Sequence, residues 1–173
     1  MSVVVALSGS PSPRSKSRRL LSLAVDRFAR DGLRARTIDL SELPADDLLG
    51  RARTPVIDRA LESVADARIV LVSTPVYRAS FSGLLKVFFD LLPPDALAGK
   101  VAIPIATGGG PAHALVIDHA LRPLLASVGA LVVSTGIYGI DAQFTDSGPD
   151  AALAARVDRA VAEAQEVLSH VTR

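Results

Sequence analysis

Three short stretches carry the residues that could do chemistry. Ser8-Gly-Ser-Pro-Ser-Pro-Arg-Ser-Lys-Ser17 holds five hydroxyls and two cations within ten residues. Backbone N–H groups, hydroxyls and a helix dipole all favour an anion, so such a loop ahead of a helix suits a phosphate. Thr74-Pro-Val-Tyr-Arg-Ala-Ser80 sets an aromatic ring and a guanidinium beside a proline. Thr107-Gly-Gly-Gly-Pro-Ala-His113 is a glycine-rich loop ending in a histidine. The chain has no cysteine, which removes disulfides, thiolate metal sites and thiol nucleophiles together. Its three histidines lack the Asp/Glu spacing of a metal site, and no metal is expected.

Absent motifs narrow the ligand. No Gly-x-x-x-x-Gly-Lys-Ser/Thr occurs, which argues against a P-loop nucleotidase. No Gly-x-Gly-x-x-Gly follows a strand, because His113 stands where the third glycine after Gly108 and Gly110 would be. The hydroxyl-rich first loop instead fits a mononucleotide phosphate held largely without cations.

Each loop must be positioned by the elements around it. Val3–Leu7 is a short apolar run of strand-favouring residues, and Ile69–Val72 is another. Lys100–Ala106 and Leu131–Ile137 give strands four and five, and Ala35–Leu40 alternates as an edge strand. Between them lie helical faces: Leu21, Ala24, Val25 and Phe28, stopped by Gly32, then Ile57, Leu61 and Val64 behind the N-cap Thr54 and Pro55. Leu84, Leu85, Phe88, Phe89 and Leu92 mark a helix after the central strand, and 115–128 another, disturbed by Pro123. Leu153, Val157, Val161, Ala164, Leu168 and Val171 form the last helix, after a longer connection from Tyr138 to Asp150. Strands alternating with helices imply an α/β fold with a five-stranded parallel sheet covered on both faces. A phosphate loop after strand one and a ligand loop after strand three match the flavodoxin-like order 2-1-3-4-5.

At 173 residues, with 49% hydrophobic and 21% charged residues, the chain is expected to form one domain, 1–173, without disordered tracts. A net charge of +1 with scattered basic residues argues against nucleic-acid binding. The apolar start is too short for a signal peptide and no apolar run reaches membrane length, so a cytoplasmic location without membrane contact is expected.

Gly9-Ser10 with Ser15-Lys-Ser17, the block Thr74 to Lys86 with Asp90, and Ala106-Thr-Gly-Gly-Gly with His113, Asp118 and Ala120-Leu-Arg-Pro123 together resemble the NAD(P)H-dependent FMN reductases. The likeness runs over essentially the whole chain and points to the reductase component of two-component alkanesulfonate monooxygenases. It implies that Ser10, Ser15, Lys16 and Ser17, with Arg14, hold the FMN phosphate. It implies that Pro75, Val76, Tyr77, Arg78 and Ser80 wrap the isoalloxazine and that Thr107, Gly108 and Gly109 line its other flank. Arg78 stands where lysine is common in this branch, which keeps the charge but alters the contact. The resemblance further implies NADPH or NADH as donor, a reduced-flavin-dependent monooxygenase as partner, and a homodimer or homotetramer.

Hydride transfer to a flavin needs two rings held together, and no protein nucleophile. No obligatory catalytic side chain is therefore assigned. Two other functions fit the same inventory: a reductase of quinones or azo compounds on permanently bound FMN, and a flavodoxin-type electron carrier. The near-neutral charge speaks against the carrier.

Several residues have a structural reading beside the functional one. Lys86 and Asp90 fit an (i, i+4) surface pair, and Phe81, Phe88 and Phe89 fit core or subunit contact. Asp46 and Asp47 read as a solvated loop, and His170 as a tail residue. Pro123 leaves the His119 carbonyl without its usual donor, a defect met either by an ordinary proline kink with His119 on the surface or by a one-residue π-bulge. In the resembled reductases an inserted aromatic residue occupies the place of His119, and such a bulge favours flavin release over retention.

Overall fold

The computed structural model describes residues 3–171. Strands β1 (Val4–Ser8), β2 (Ala35–Asp39), β3 (Ile69–Pro75), β4 (Val101–Gly108), β5 (Leu131–Val132) and β6 (Ile137–Ile140) form one sheet. All its pairings are parallel, in the order β2-β1-β3-β4-β5. The helices are α1 (Lys16–Arg30), α2 (Ala45–Leu48), α3 (Pro55–Asp66), α4 (Gly83–Phe89), α5 (Arg122–Ser127) and α6 (Ala151–Val171). A small antiparallel hairpin, β7 (Phe144–Thr145) with β8 (Gly148–Pro149), lies between β6 and α6.

Alternation along the strands divides the core into two layers. Val4 and Ala6 of β1, Ile69 and Leu71 of β3, and Val101, Ile103 and Ile105 of β4 pack under Leu20, Leu21, Ala24 and Phe28 of α1. Leu153, Val157 and Val161 of α6 complete that side. The residues between them, Val5, Leu7, Val70, Val72, Ala102 and Ala106, face Ile57 and Val64 of α3, Leu85, Phe88 and Phe89 of α4, and Leu125 of α5. Phe88 and Phe89 are thus core residues. Lys86 and Asp90 pair on the exposed side of α4.

Helix ends follow their local chemistry. Gly32 lies past α1 with φ +76, a left-handed stop that glycine adopts without a Cβ penalty. The Thr54 hydroxyl accepts from Val56 N–H, and Pro55 opens α3.

Two expectations need correction. The fifth strand is not continuous over 131–137: β5 pairs with Val101–Ala102 and β6 with Ile105–Gly108, and the register slips by two residues between them. Long-range contacts hold this break open. The Glu163 carboxylate of α6 accepts from Ser134 N–H, the Ser134 hydroxyl and Thr135 N–H at 2.5, 2.6 and 2.9 Å. Arg122 donates to the Val133 and Ser134 carbonyls at 2.6 and 2.5 Å, and Arg156 to that of Gly136 at 2.5 Å. A Cβ on Gly136 would stand 2.4 Å from Ile117 Cγ2, so only glycine lets the break pass this close. β6 then runs on through Tyr138 to Ile140, residues expected in a connection.

The second correction is Asp47, which is buried instead of solvated. Its carboxylate accepts from Thr54 N–H at 3.1 Å and from the Thr54 hydroxyl, tying the 46–53 loop to the start of α3. Asp46 stays exposed.

The expected π-bulge is present. Ile117–Leu121 is a π-helical turn leading into α5, and Arg122 N–H donates to the Ile117 carbonyl five residues back. Pro123 in the next turn has no N–H to give, so the wider register absorbs the missing donor. His119 is exposed on this turn.

Candidate functional site

The loops after β1, β3 and β4 converge at the carboxyl edge of the sheet, beside the β1/β3 switch point where such folds place ligands. Hydrogen bonds lock them to one another. Gly9 N–H donates to the Ser73 carbonyl at 2.8 Å. The buried Ser82 hydroxyl donates to the Gly9 carbonyl at 2.5 Å and accepts from Leu85 N–H, capping α4. Thr74 Oγ1 accepts from Ser82 N–H at 2.9 Å. A Cβ on Gly9 would lie 2.9 Å from the Ser73 carbonyl oxygen, so the close approach of the two loops requires glycine there.

Between the loops lies a cleft of about 320 Å³. Ser10, Arg14, Ser15 and Lys16 line one end, Pro75, Val76 and Tyr77 one wall, and Thr107, Gly108 and Gly109 the other. Three expected residues are not on its surface. Ser17 is buried beneath, bonded to Ser15 Oγ at 2.7 Å. Arg78 is exposed at a turn tip, and Ser80 stands at that turn's base.

The loop before α1 is shaped for an anion. Ser10 Oγ accepts from Ser12 N–H at 3.2 Å, and Ser15 N–H donates to the Ser12 carbonyl at 3.2 Å, which curls the chain. Ser15 is the N-cap residue, yet its hydroxyl does not cap, and the first turn of α1 carries no acidic residue. The leading N–H groups of the helix are thereby left to a ligand.

The wall after β3 is a tight turn. Tyr77 and Ser80 exchange backbone hydrogen bonds at 2.9 and 3.0 Å, with Arg78 and Ala79 at φ 50 and 62 between them. Non-glycine residues in this region carry strain of about 1 kcal/mol or more, a feature that clusters at ligand-binding loops. Val76 N–H donates to the Thr107 carbonyl at 2.8 Å and fixes the spacing of the two walls. Tyr77 keeps 47% of its surface exposed.

Behind the glycine loop stands Tyr138, whose hydroxyl donates to the Gly110 carbonyl at 2.6 Å. Burial pushes this phenol above its ordinary pKa, and the Asp141 carboxylate adds to the effect, so the group stays a neutral donor. His113 closes a short 3₁₀ turn and is exposed, off the cleft.

Sequence reasoning missed two lining residues. Ser12 lay within the phosphate loop but was not singled out. Asp141 follows β6, and no local spacing links it to the other loops. It forms an ion pair with Lys16, Nζ to Oδ1 2.9 Å.

The donor set fits a flavin mononucleotide: hydroxyls, cations and an uncapped helix start at one end, and a slot between proline, tyrosine and glycine backbone at the other. Among the described residues no group of three or more His, Asp or Glu could hold a metal, and no helix is long and apolar enough to cross a membrane.

The strand order and the placement of the cleft at the switch point define a flavodoxin-like α/β fold. Residues 2–145 match the family described as NADPH-dependent FMN reductase, and the chain belongs to that family. An FMN reductase (NADPH) of Pseudomonas putida strain KT2440 is 44% identical over 142 residues, covering 82% of this chain and 72% of the relative. An NADH-dependent FMN reductase of Pseudomonas putida, SfnE, is 38% identical over 159 residues, covering 89% and 86%. The apo form of the NADH:FMN oxidoreductase EMOB superposes with a TM-score of 0.88 at 37% identity, over 98% of this chain and 90% of that one. The chain is an NAD(P)H:FMN oxidoreductase, using FMN with NADPH or NADH as electron donor.

Proposed function

We propose that this reductase treats FMN as an exchangeable substrate and supplies reduced flavin to a separate monooxygenase of the sulfonate or sulfur-assimilation type. A flavin held in this cleft would supply a ring able to take up hydride from the nicotinamide. The side chains bind and orient. Ser10, Ser12, Arg14, Ser15 and Lys16, with the N–H groups opening α1, hold the phosphate, and Ser17 supports them from below. Pro75, Val76, Tyr77, Thr107, Gly108 and Gly109 enclose the ring, whose polar edge meets backbone N–H groups. Arg78 and Ser80 shape and rim the turn.

One observation carries exchange over permanent binding: the π-helical turn at Ile117–Leu121, directly after the glycine loop. In the resembled reductases a bulge here favours release. Exposed Tyr77, at the cleft, and Leu115, 61% exposed and two residues before that turn, support a two-fold assembly with active sites near the subunit contact. Relatives named NADH-dependent FMN reductases SfnE and SfnF support FMN as the substrate, and the sulfur-linked partner is what the resemblance implies.

Flavin content after purification tests exchange. Wild-type protein should emerge mostly colourless, and deletion of His119 should make FMN co-purify. Stoichiometric FMN in the wild type, unchanged by the deletion, would instead favour a bound-flavin quinone or azo reductase.

A further inference from the structure

Asp141 is out of place in a phosphate site. It lines the same cleft as Ser10, Ser12, Arg14 and Ser15, and its carboxylate holds Lys16 Nζ at 2.9 Å. Both side chains are solvent-accessible, 36% for Lys16 and 60% for Asp141, so the pair can open without burying a charge. Phe144, three residues further on, takes the same ammonium over its ring at 5.8 Å from the centroid. The residues after β6 thus occupy the cation at the start of α1. Arg19 is drawn to the same segment, donating to the Thr145 carbonyl at 2.7 Å and lying 5.7 Å from the Phe144 centroid.

A site selected only for tight phosphate binding would keep its lysine free and exclude carboxylates. Here the arriving phosphate must compete with Asp141 for Lys16 and then sit in the same cleft as a like charge. We propose that Asp141 is an affinity-setting residue: it competes with the flavin phosphate for Lys16, weakens FMN relative to riboflavin, and speeds departure of the nucleotide. The proposal rests on the exchange of FMN stated above and assigns part of it to a residue remote from the π-helical turn. The effect is confined to the phosphate, because the contact lies at that end of the cleft.

The test is equilibrium binding of FMN and of riboflavin to flavin-free protein, followed by flavin fluorescence, for wild type and Asp141→Asn. The amide keeps the shape and removes the charge. FMN should bind Asp141→Asn roughly 3- to 5-fold more tightly, the upper scale for removing one solvent-screened charge contact. Riboflavin affinity should change less than about twofold, and the FMN gain should shrink as salt rises toward 1 M. Asp141→Glu, which keeps the charge, should stay near wild type. If Asp141→Asn fails to fold, Asp141→Ser serves the same comparison. Unchanged or weakened FMN binding would overturn the proposal and make Asp141 a helper that orients Lys16. Equal tightening of riboflavin would overturn it too. Wild-type protein that retains FMN through gel filtration would refute the exchange reading alone, since the Asn comparison would still decide the role of Asp141.

Discussion

Glu163 offers a stability test that reaches the site through the fold. Its carboxylate loses hydration on α6, which alone would raise its pKa. Hydrogen bonds from Ser134 and Thr135 outweigh that loss and bring it from 4.5 to about 2. A depression of that size corresponds to roughly 3 kcal/mol at neutral pH if fully expressed. The carboxylate is only half-buried, so screening by water reduces the contribution to about 1–2 kcal/mol. Because the folded-state pKa lies below the unfolded one, this stability is present above pH 4.5 and is lost as pH falls toward 2. Glu163→Gln should therefore lower stability by about 1–2 kcal/mol at pH 7, or a Tm drop of about 2–8 °C for a chain of this size. Urea unfolding of both proteins between pH 7 and pH 2.5 measures it, and the gap should narrow below pH 4.5. A gap that is absent at pH 7, or constant with pH, would refute the bonding scheme at the β5–β6 break.

Three further outcomes follow from the same structure. Lys16→Ala should weaken FMN by about 1–3 kcal/mol, the scale of a charge-assisted hydrogen bond, with riboflavin nearly unchanged in the same titration. Gly9→Ala should destabilise by about 1–3 kcal/mol in urea, because its Cβ meets the Ser73 carbonyl oxygen and Leu85 Cβ, which have little room to retreat. Light scattering at micromolar concentration should report a dimer or tetramer, and a monomer would contradict the proposed assembly.

The parts of the molecule that the sequence reveals are those written locally. Continuous apolar runs identified β1, β3 and β4, whose alternating residues feed both core layers. The three loops that line the cleft were legible as loops because each follows an apolar strand and is rich in proline, glycine or hydroxyl residues. Pro123 announced the π-helical turn, since a missing N–H has few remedies within a helix. Features made by distant residues were not legible. The break between β5 and β6 depends on Glu163, Arg122 and Arg156, each in a different part of the chain from the strand it holds. Asp47 reads as solvated until Thr54 folds back to bond it. Asp141 meets Lys16 only because the sheet brings the end of β6 beside the start of α1. Ser17, Arg78 and Ser80 have suitable chemistry, but Ser17 is buried in the first turn of α1 and Arg78 and Ser80 lie outside the cleft lining, placements that residue type alone does not reveal.

The most direct measurement of the central claim is the steady-state rate of NADPH or NADH oxidation by flavin-free protein as free FMN is varied. An exchanging reductase gives almost no oxidation without added FMN and a rate that saturates with free FMN, with no quinone required. A rate indifferent to added FMN, arising from flavin that stays on the protein and needing a quinone or azo acceptor to turn over, would contradict the account.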